Sequence, residues 1–281
     1  MEYSLGLYEK ALPPEQDLIS LCRKAKACGF DRLEMSIDES DPRLARLDWP
    51  ERDQRALGTR SREEGCPIRT LCLSGHRKYP LGSHDPEVRR RALEILRKAL
   101  DFAASAGVSL IQLAGYDVYY EEGDAATRAW FGENLARSAA WAAERGVLLA
   151  FETMETPFMD TVEKAMAWVR EISSPWLGLY PDIGNLQNAA SLYGHSVTED
   201  LRRGAGHLLA LHLKETRPGV YRDMAFGSGG HTDYEGCIRA ALDMGVRLFT
   251  GEFWYRGEAD WEGEVRRANA FLREKIEKAA G

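Results

Sequence analysis

The chain has 281 residues, 37 Lys and Arg against 44 Asp and Glu, and a formal net charge of −7. With a pI near 5.5, its charge does not point to nucleic acid or an anionic membrane as a partner, and leaves room only for a local basic pocket that takes a small anion. The five cysteines, Cys22, Cys28, Cys66, Cys72 and Cys237, are odd in number and form no CxxC pair. Neither a zinc knuckle nor a disulfide framework is therefore expected, and free thiols fit a reducing cytoplasm. The N-terminal residues lack a basic head followed by an apolar stretch, so no signal peptide is expected. No apolar run approaches the roughly 20 residues that span a bilayer.

Short β-like runs alternate with helical stretches along the whole chain. The runs are residues 3–8, 32–37, 68–75, 109–115, 147–154, 177–183, 208–215 and 247–253. Between the third and fourth, apolar residues recur at Val88, Ala92, Ile95, Leu96, Ala99, Phe102 and Ala103, the helical period. That helix should open at Asp85-Pro86-Glu87, an N-cap followed by proline at the first helical position. A recurring phrase marks the return to a strand, a glycine followed by an apolar run, with glycines 29, 65, 107, 146 and 245. Glycine suits a helix end that turns left-handed. No linker or low-complexity segment interrupts the pattern. Eight strand–helix units predict a single (β/α)8 TIM barrel over residues 1–281 rather than an open doubly wound sheet, which would want a GxGxxG after the first strand.

Four polar residues interrupt or end the later apolar runs: Glu152, Asp182, His212 and Glu252. They are 30, 30 and 40 residues apart, about one strand-plus-helix unit each. In a barrel all four would face one spot on the carboxyl-terminal side. Singly, each has an ordinary explanation, an exposed carboxylate or a hydrogen-bonded core histidine. Together they make a divalent-metal site, because unpaired charge in an apolar run is costly and a cation removes that cost. Oxygen-rich ligands with one nitrogen and no sulfur favour one Mn²⁺ or Mg²⁺, with Co²⁺ or Zn²⁺ able to substitute. Glu152 and Glu252, from runs five and eight, could flank a ketose from opposite sides. One would remove the C3 proton to give a cis-enediolate, and the other would return a proton to the opposite face, epimerising C3.

Three further segments could bind substrate. The loop after run three carries His76, Arg77 and Lys78. Lys214 and Arg217 follow His212. The glycine-rich segment 226–233, with Gly227, Gly229 and His231, precedes a helical stretch where backbone N–H groups could hold phosphate. Each segment also has an ordinary reading as a solvated or flexible loop.

The segments LGLYEKALP (5–13), LEMSIDESDPRLARLDW (33–49), CLSGHRKYPLGS (72–83), QLAGYDVYYE (112–121), ETMETPFMD (152–160), YPDIGNLQNA (180–189), HLKETRPG (212–219) and FGSGGHTDY (226–234) resemble the sugar-phosphate isomerase/epimerase superfamily, which also contains xylose isomerase, tagatose/psicose 3-epimerase and endonuclease IV. Within it the likeness is to the L-ribulose-5-phosphate (L-xylulose-5-phosphate) 3-epimerase family of ascorbate utilisation. The resemblance implies that Glu152, Asp182, His212 and Glu252 are the metal ligands and that the two glutamates are the acid/base pair. It places Glu155 where aspartate is expected, a difference that matters if this carboxylate touches substrate. The substrate expected is a small sugar phosphate, the location cytoplasmic, and the assembly a homodimer, with Tyr119, Tyr120 and Trp130 covering the pocket or forming the contact. An aldose–ketose isomerase is the alternative, although only His212 is clearly placed for the richer ligand set of the xylose-isomerase type. A DNA-repair role is opposed by the negative charge and by six histidines in place of the many a three-zinc site needs.

Overall fold

The computed structural model describes residues 2–14 and 17–281. All eight expected runs form strands: β1 (Ser4–Tyr8), β2 (Arg32–Ser36), β3 (Ile68–Leu73), β4 (Leu110–Ala114), β5 (Leu148–Glu152), β6 (Leu177–Leu179), β7 (Leu211–Leu213) and β8 (Leu248–Gly251). They are parallel and run in the order β6-β5-β4-β3-β2-β1-β8-β7. The ring closes between the two shortest strands, through bridges Leu179–Leu208 and Asp182–His212 and a His212 N–H that donates to the Pro181 carbonyl at 2.9 Å. The structure is the expected TIM barrel. Runs six and seven are shorter as strands than as apolar stretches, in part because Pro181 has no N–H to add to the ladder.

Local sequence accounts for the joints. The helix Pro86–Ala106 starts on Asp85, whose side chain accepts from Glu87 N, and buries Ala92, Ile95, Leu96, Ala99, Phe102 and Ala103. The five glycines of the recurring phrase all have positive φ, from 65° to 92°. A β-carbon at each would be strained, so the repeated glycine is the signal that stops a helix and turns the chain into the next strand. The joint into β6 lacks the phrase, and there Ser173 takes the left-handed conformation instead.

The outer core lies between strands and helices and is almost wholly apolar. The barrel interior is different. Arg32 and Glu34 are fully buried in β2, and the Arg32 guanidinium donates to Thr70 Oγ1 (3.0 Å), the Phe249 carbonyl (2.9 Å) and Thr250 Oγ1 (2.8 Å). Gly6 in β1 makes room for it: a β-carbon there would sit 2.5 Å from Arg32 Nη1. Gly6→Ala should therefore lower stability by about 1–3 kcal/mol, the usual cost of overpacking a tight site. Urea unfolding of the variant beside the wild type checks this, and an unchanged midpoint would mean that Arg32 is free to move.

Candidate metal centre and substrate cleft

Each of the four predicted ligands is positioned by its strand end. Glu152 is the last residue of β5, His212 is the middle of β7, and Glu252 follows β8. Asp182 caps the helix Ile183–Tyr193, with Oδ1 accepting from Asn185 N at 2.7 Å. One ligand atom from each lies within 4.8 Å of the others, and all four residues are buried. Metal–oxygen and metal–nitrogen bonds of about 2.0–2.2 Å set donor separations of this size around one small divalent ion. The second carboxylate oxygen of Asp182 is buried with no hydrogen-bond partner. An orphan of that kind is costly unless something not made of protein completes it. The residues fit a metal.

His212 shows which nitrogen faces the site. Its Nδ1 is 3.6 Å from a carboxylate oxygen of Glu152 and 3.6 Å from one of Glu252, while Nε2 is 2.5 Å from Glu34 Oε1. Nε2–H donating to a buried carboxylate fixes the tautomer and leaves the Nδ1 lone pair for a cation. Glu34 is itself held by Thr70 Oγ1 at 2.6 Å and Tyr180 Oη at 2.8 Å. A continuous buried network thus runs from Arg32 through Thr70 and Glu34 to His212. Sequence reasoning missed Glu34. The signal was present, since a charge in the middle of an apolar strand is as anomalous as one at its end, but attention to strand ends passed over it.

Lys214, two residues beyond His212, lies 3.1 Å from Glu252 Oε2 and 3.4 Å from Asp182 Oδ1. It thereby divides the two glutamates. Burial opposes ionisation of Glu252, but Lys214 and then His212 outweigh it and hold this carboxyl well below the usual range. Burial, reinforced by the charge of Glu252, raises Glu152. Burial, with Lys214 opposing and the two glutamates adding, raises Asp182 to about 7. Burial also opposes a charge on His212, yet Glu34 above all keeps the imidazole protonated well above its ordinary range.

A cleft leads from Glu152 and Glu252 to the surface, and Arg77, Glu155 and Lys214 line it. Three of the expected substrate residues are therefore brought to the ligands. The cleft also takes Tyr8, Asn185, Arg222 and Trp254, which sequence reasoning did not single out because nothing in their local pattern distinguishes them. Glu155 accepts hydrogen bonds from Tyr116 and, at 3.4 Å, from Tyr119.

The other expected substrate residues lie elsewhere. His76 is buried and turned outward, donating from Nε2 to the Ala92 carbonyl at 3.1 Å, and burial holds its imidazole down near 4. Lys78 faces an adjoining open groove together with Tyr120. Arg217 donates to the Ser228 carbonyl at 2.9 Å, and none of Gly227, Gly229 and His231 lines the cleft. Beneath the glycine-rich loop lies the buried carboxylate of Glu215. It accepts from Gly227 N at 3.3 Å, and a β-carbon on Gly230 would fall 2.1 Å from its Oε1. Of the aromatics, Tyr119 stacks with Arg77, Tyr120 is 67% exposed and bonds Glu39 at 3.0 Å, and Trp130 carries the Arg89 guanidinium at 4.1 Å. No helix among the described residues is long and apolar enough to cross a membrane.

The family model for the xylose isomerase-like TIM barrel matches residues 22–275. An Escherichia coli protein named L-ribulose-5-phosphate 3-epimerase UlaE is 42% identical over 276 residues, covering 98% of this chain and 95% of its own. Its Salmonella paratyphi A counterpart is 41% identical over the same length, with the same coverage. Among solved structures, D-psicose 3-epimerase in the presence of D-fructose aligns with a TM-score of 0.80 at 16% identity, covering 97% of this chain and 99% of its own. L-ribulose 3-epimerase aligns at 0.80 and 17%, covering 99% and 96%. At such identities these two speak for the fold.

Glu34→Gln removes the charge behind His212 and should weaken Mn²⁺ binding about 10–100-fold, which calorimetric titration of the metal-free protein would read; unaltered affinity would rule out a role for Glu34 in holding the ligand. Metal must also displace protons from Asp182 and from His212 Nδ1. Both are raised in the metal-free protein, so acid competes with metal, and Mn²⁺ affinity should climb as pH rises through about 7. Titrations in two buffers of different ionisation heat should show net proton release. Affinity independent of pH, with no proton released, would refute this.

Proposed function

The chain belongs to the xylose isomerase-like TIM-barrel family, and from that premise we propose that it is a metal-dependent 3-epimerase interconverting L-xylulose 5-phosphate and L-ribulose 5-phosphate. The names of its curated relatives supply the substrate. The observation that carries the mechanism is the convergence of Glu152 and Glu252 on His212 Nδ1, each at 3.6 Å. Two carboxylates reaching one buried point from different strands are what a proton exchange on opposite faces of a single carbon needs.

Glu152, Asp182, His212 and Glu252 would hold the ion, and it would supply electron withdrawal that acidifies the proton at C3, next to the C2 carbonyl. Mn²⁺ suits this donor set, and Mg²⁺, Co²⁺ and Zn²⁺ are also compatible with it. The protein's own groups do the rest. Glu252, kept ionised by Lys214, takes the C3 proton in one direction. Glu152, on the far side, delivers one to the opposite face. In the reverse direction the roles exchange. Burial of both carboxylates keeps bulk water from quenching the cis-enediolate before the second transfer. A site in the catabolism of L-ascorbate and pentoses accords with this substrate.

Glu152→Gln and Glu252→Gln should each lower turnover by about three orders of magnitude or more, on the scale of losing a required proton-transfer group, while Mn²⁺ still binds. Proton NMR of L-xylulose 5-phosphate in D₂O should show deuterium at C3 as L-ribulose 5-phosphate grows. Label at C1 with an aldose product would make the protein an isomerase, and near-wild-type turnover in either variant would sink the two-glutamate mechanism.

A further inference from the structure

The loop after β4, residues 115–124, is tied at its tip to two neighbouring loops by exposed side chains. Tyr120 Oη donates to Glu39 Oε1, in the loop after β2, at 3.0 Å. Glu121 meets the loop after β3: its Oε2 accepts from the His84 backbone N–H at 3.1 Å and lies 2.8 Å from His84 Nδ1. The other ring nitrogen of His84, Nε2, lies 3.2 Å from Asp124 Oδ2. A neutral imidazole has one N–H and one lone pair, so only the protonated ring can donate to both carboxylates at once. Both carboxylates are held ionised. Burial resists a charge on Glu121, but hydrogen bonds from Ser83 and His84 outweigh it and keep its carboxyl low. The Thr127 N–H, and then His84, do the same for Asp124. The cation beside them is Arg89, on the helix Pro86–Ala106. It donates to the His84 carbonyl at 3.0 Å and lies over Trp130, against whose ring His84 packs edge-on. Asp85, next in the chain, turns its carboxylate to Glu87 N.

We propose that His84 is a pH-operated fastener of the β4 loop, closed when the imidazole is protonated and half undone when it is neutral. What it steadies is one wall of the cleft. The same loop carries Tyr116 and Tyr119, whose hydroxyls donate to Glu155, and the Arg77 guanidinium lies 4.9 Å from the centre of the Tyr119 ring. Glu155 and Arg77 both line the cleft. The base of the loop is held separately. The Asp117 carbonyl accepts from Gly82 N at 3.0 Å, and its side chain accepts from Thr127 Oγ1 at 2.7 Å. Unfastening therefore loosens the tip, residues 119–123, and leaves the barrel as it is. Hydrogen bonds to Glu121 first and Asp124 next hold the proton of His84 above its ordinary range. The fastener is thus complete below about 6.5, the ordinary imidazole value, and is lost as pH rises through the raised one. Its effect on turnover rests on the epimerase reading, and the fastener itself does not.

NMR titration of the Mn²⁺-loaded protein, with the His84 imidazole assigned by its loss in His84→Gln, tests the fastener directly. His84 should titrate above about 6.5, and Glu121→Gln should lower the midpoint. Hydrogen exchange at amides 119–123, corrected for the intrinsic rate, should quicken about two- to fivefold as pH rises through that midpoint, the scale of one exposed charge pair. His84→Gln should exchange at the faster rate on both sides of it. The ratio of KM for L-ribulose 5-phosphate in His84→Gln to that in the wild type should be about two- to fivefold below the midpoint and about one above it. Taking the ratio cancels titration of the catalytic glutamates, which the two proteins share. A midpoint at or below about 6.5, exchange in the loop that ignores the midpoint, or the same pH dependence surviving in His84→Gln would overturn the proposal. A KM ratio constant with pH would overturn the link to the cleft. Failure of the wild type to exchange deuterium into C3 would instead remove the epimerase reading, and the imidazole titration and hydrogen exchange would still judge the fastener.

Discussion

Charge neutrality inside the barrel is the constraint on which the rest depends. Glu34, Glu152, Asp182 and Glu252 are four buried carboxylates in one connected cluster, and only Arg32 and Lys214 are buried permanent cations among them. With His212 neutral, two negative charges stay uncompensated among buried side chains. Leaving them so is prohibitively expensive. Without metal the protein balances the account by keeping protons, which is why Asp182, Glu152 and His212 all hold theirs above the ordinary range. A divalent cation cancels the same two charges without protons. The one arrangement thus explains the raised carboxyls, the protonated histidine and the orphaned oxygen of Asp182.

The same network fills part of the barrel. A TIM barrel normally fills its interior with branched apolar side chains. Here Arg32, Thr70, Tyr180 and Thr250 replace part of that filling with hydrogen bonds, and Gly6 gives up its side chain to admit Arg32. The floor of the site is therefore rigid and polar, and it presents Glu34 to the back of His212. Precision at the ligands is supplied from below, by residues that never meet the substrate.

Much of this was legible in the sequence, for identifiable reasons. The barrel could be read because its signals are local: eight apolar runs, a proline-opened helix, and five glycines that all turned out left-handed. The convergence of Glu152, Asp182, His212 and Glu252 could be read because a charge that ends an apolar strand is anomalous wherever the strand ends up. Glu34 shows the same anomaly in mid-strand, and its meaning appears only when β2 is set across the barrel from β7. The surrounding cleft was less legible. His76 and Arg77 are adjacent, yet a turn of 3-10 helix over Ser74–Arg77 sends one into the core and the other into the cleft. The glycine-rich segment looked like an anion cradle because its backbone is free to form one. What the sequence could not convey is that Glu215, twelve residues before Gly227, folds underneath and takes the donor first.

The division between the two glutamates follows from topology. β5 and β8 are separated by β6 and β7 around the ring, so Glu152 and Glu252 approach from different sides, and the residues between them belong to the two intervening strands. Lys214 extends from the end of β7 and reaches Glu252 and Asp182, while it makes no ion pair with Glu152. A cation placed evenly between the glutamates would ionise both alike and leave no proton to deliver. Placed on one side, it favours ionisation of Glu252 over that of Glu152 in the metal-free protein, and burial amplifies the difference because charges interact strongly where water is excluded. Inversion at a single carbon needs a base on one face and an acid on the other. In the proposed mechanism Lys214, two residues beyond His212, provides that asymmetry in a site that would otherwise be nearly symmetric.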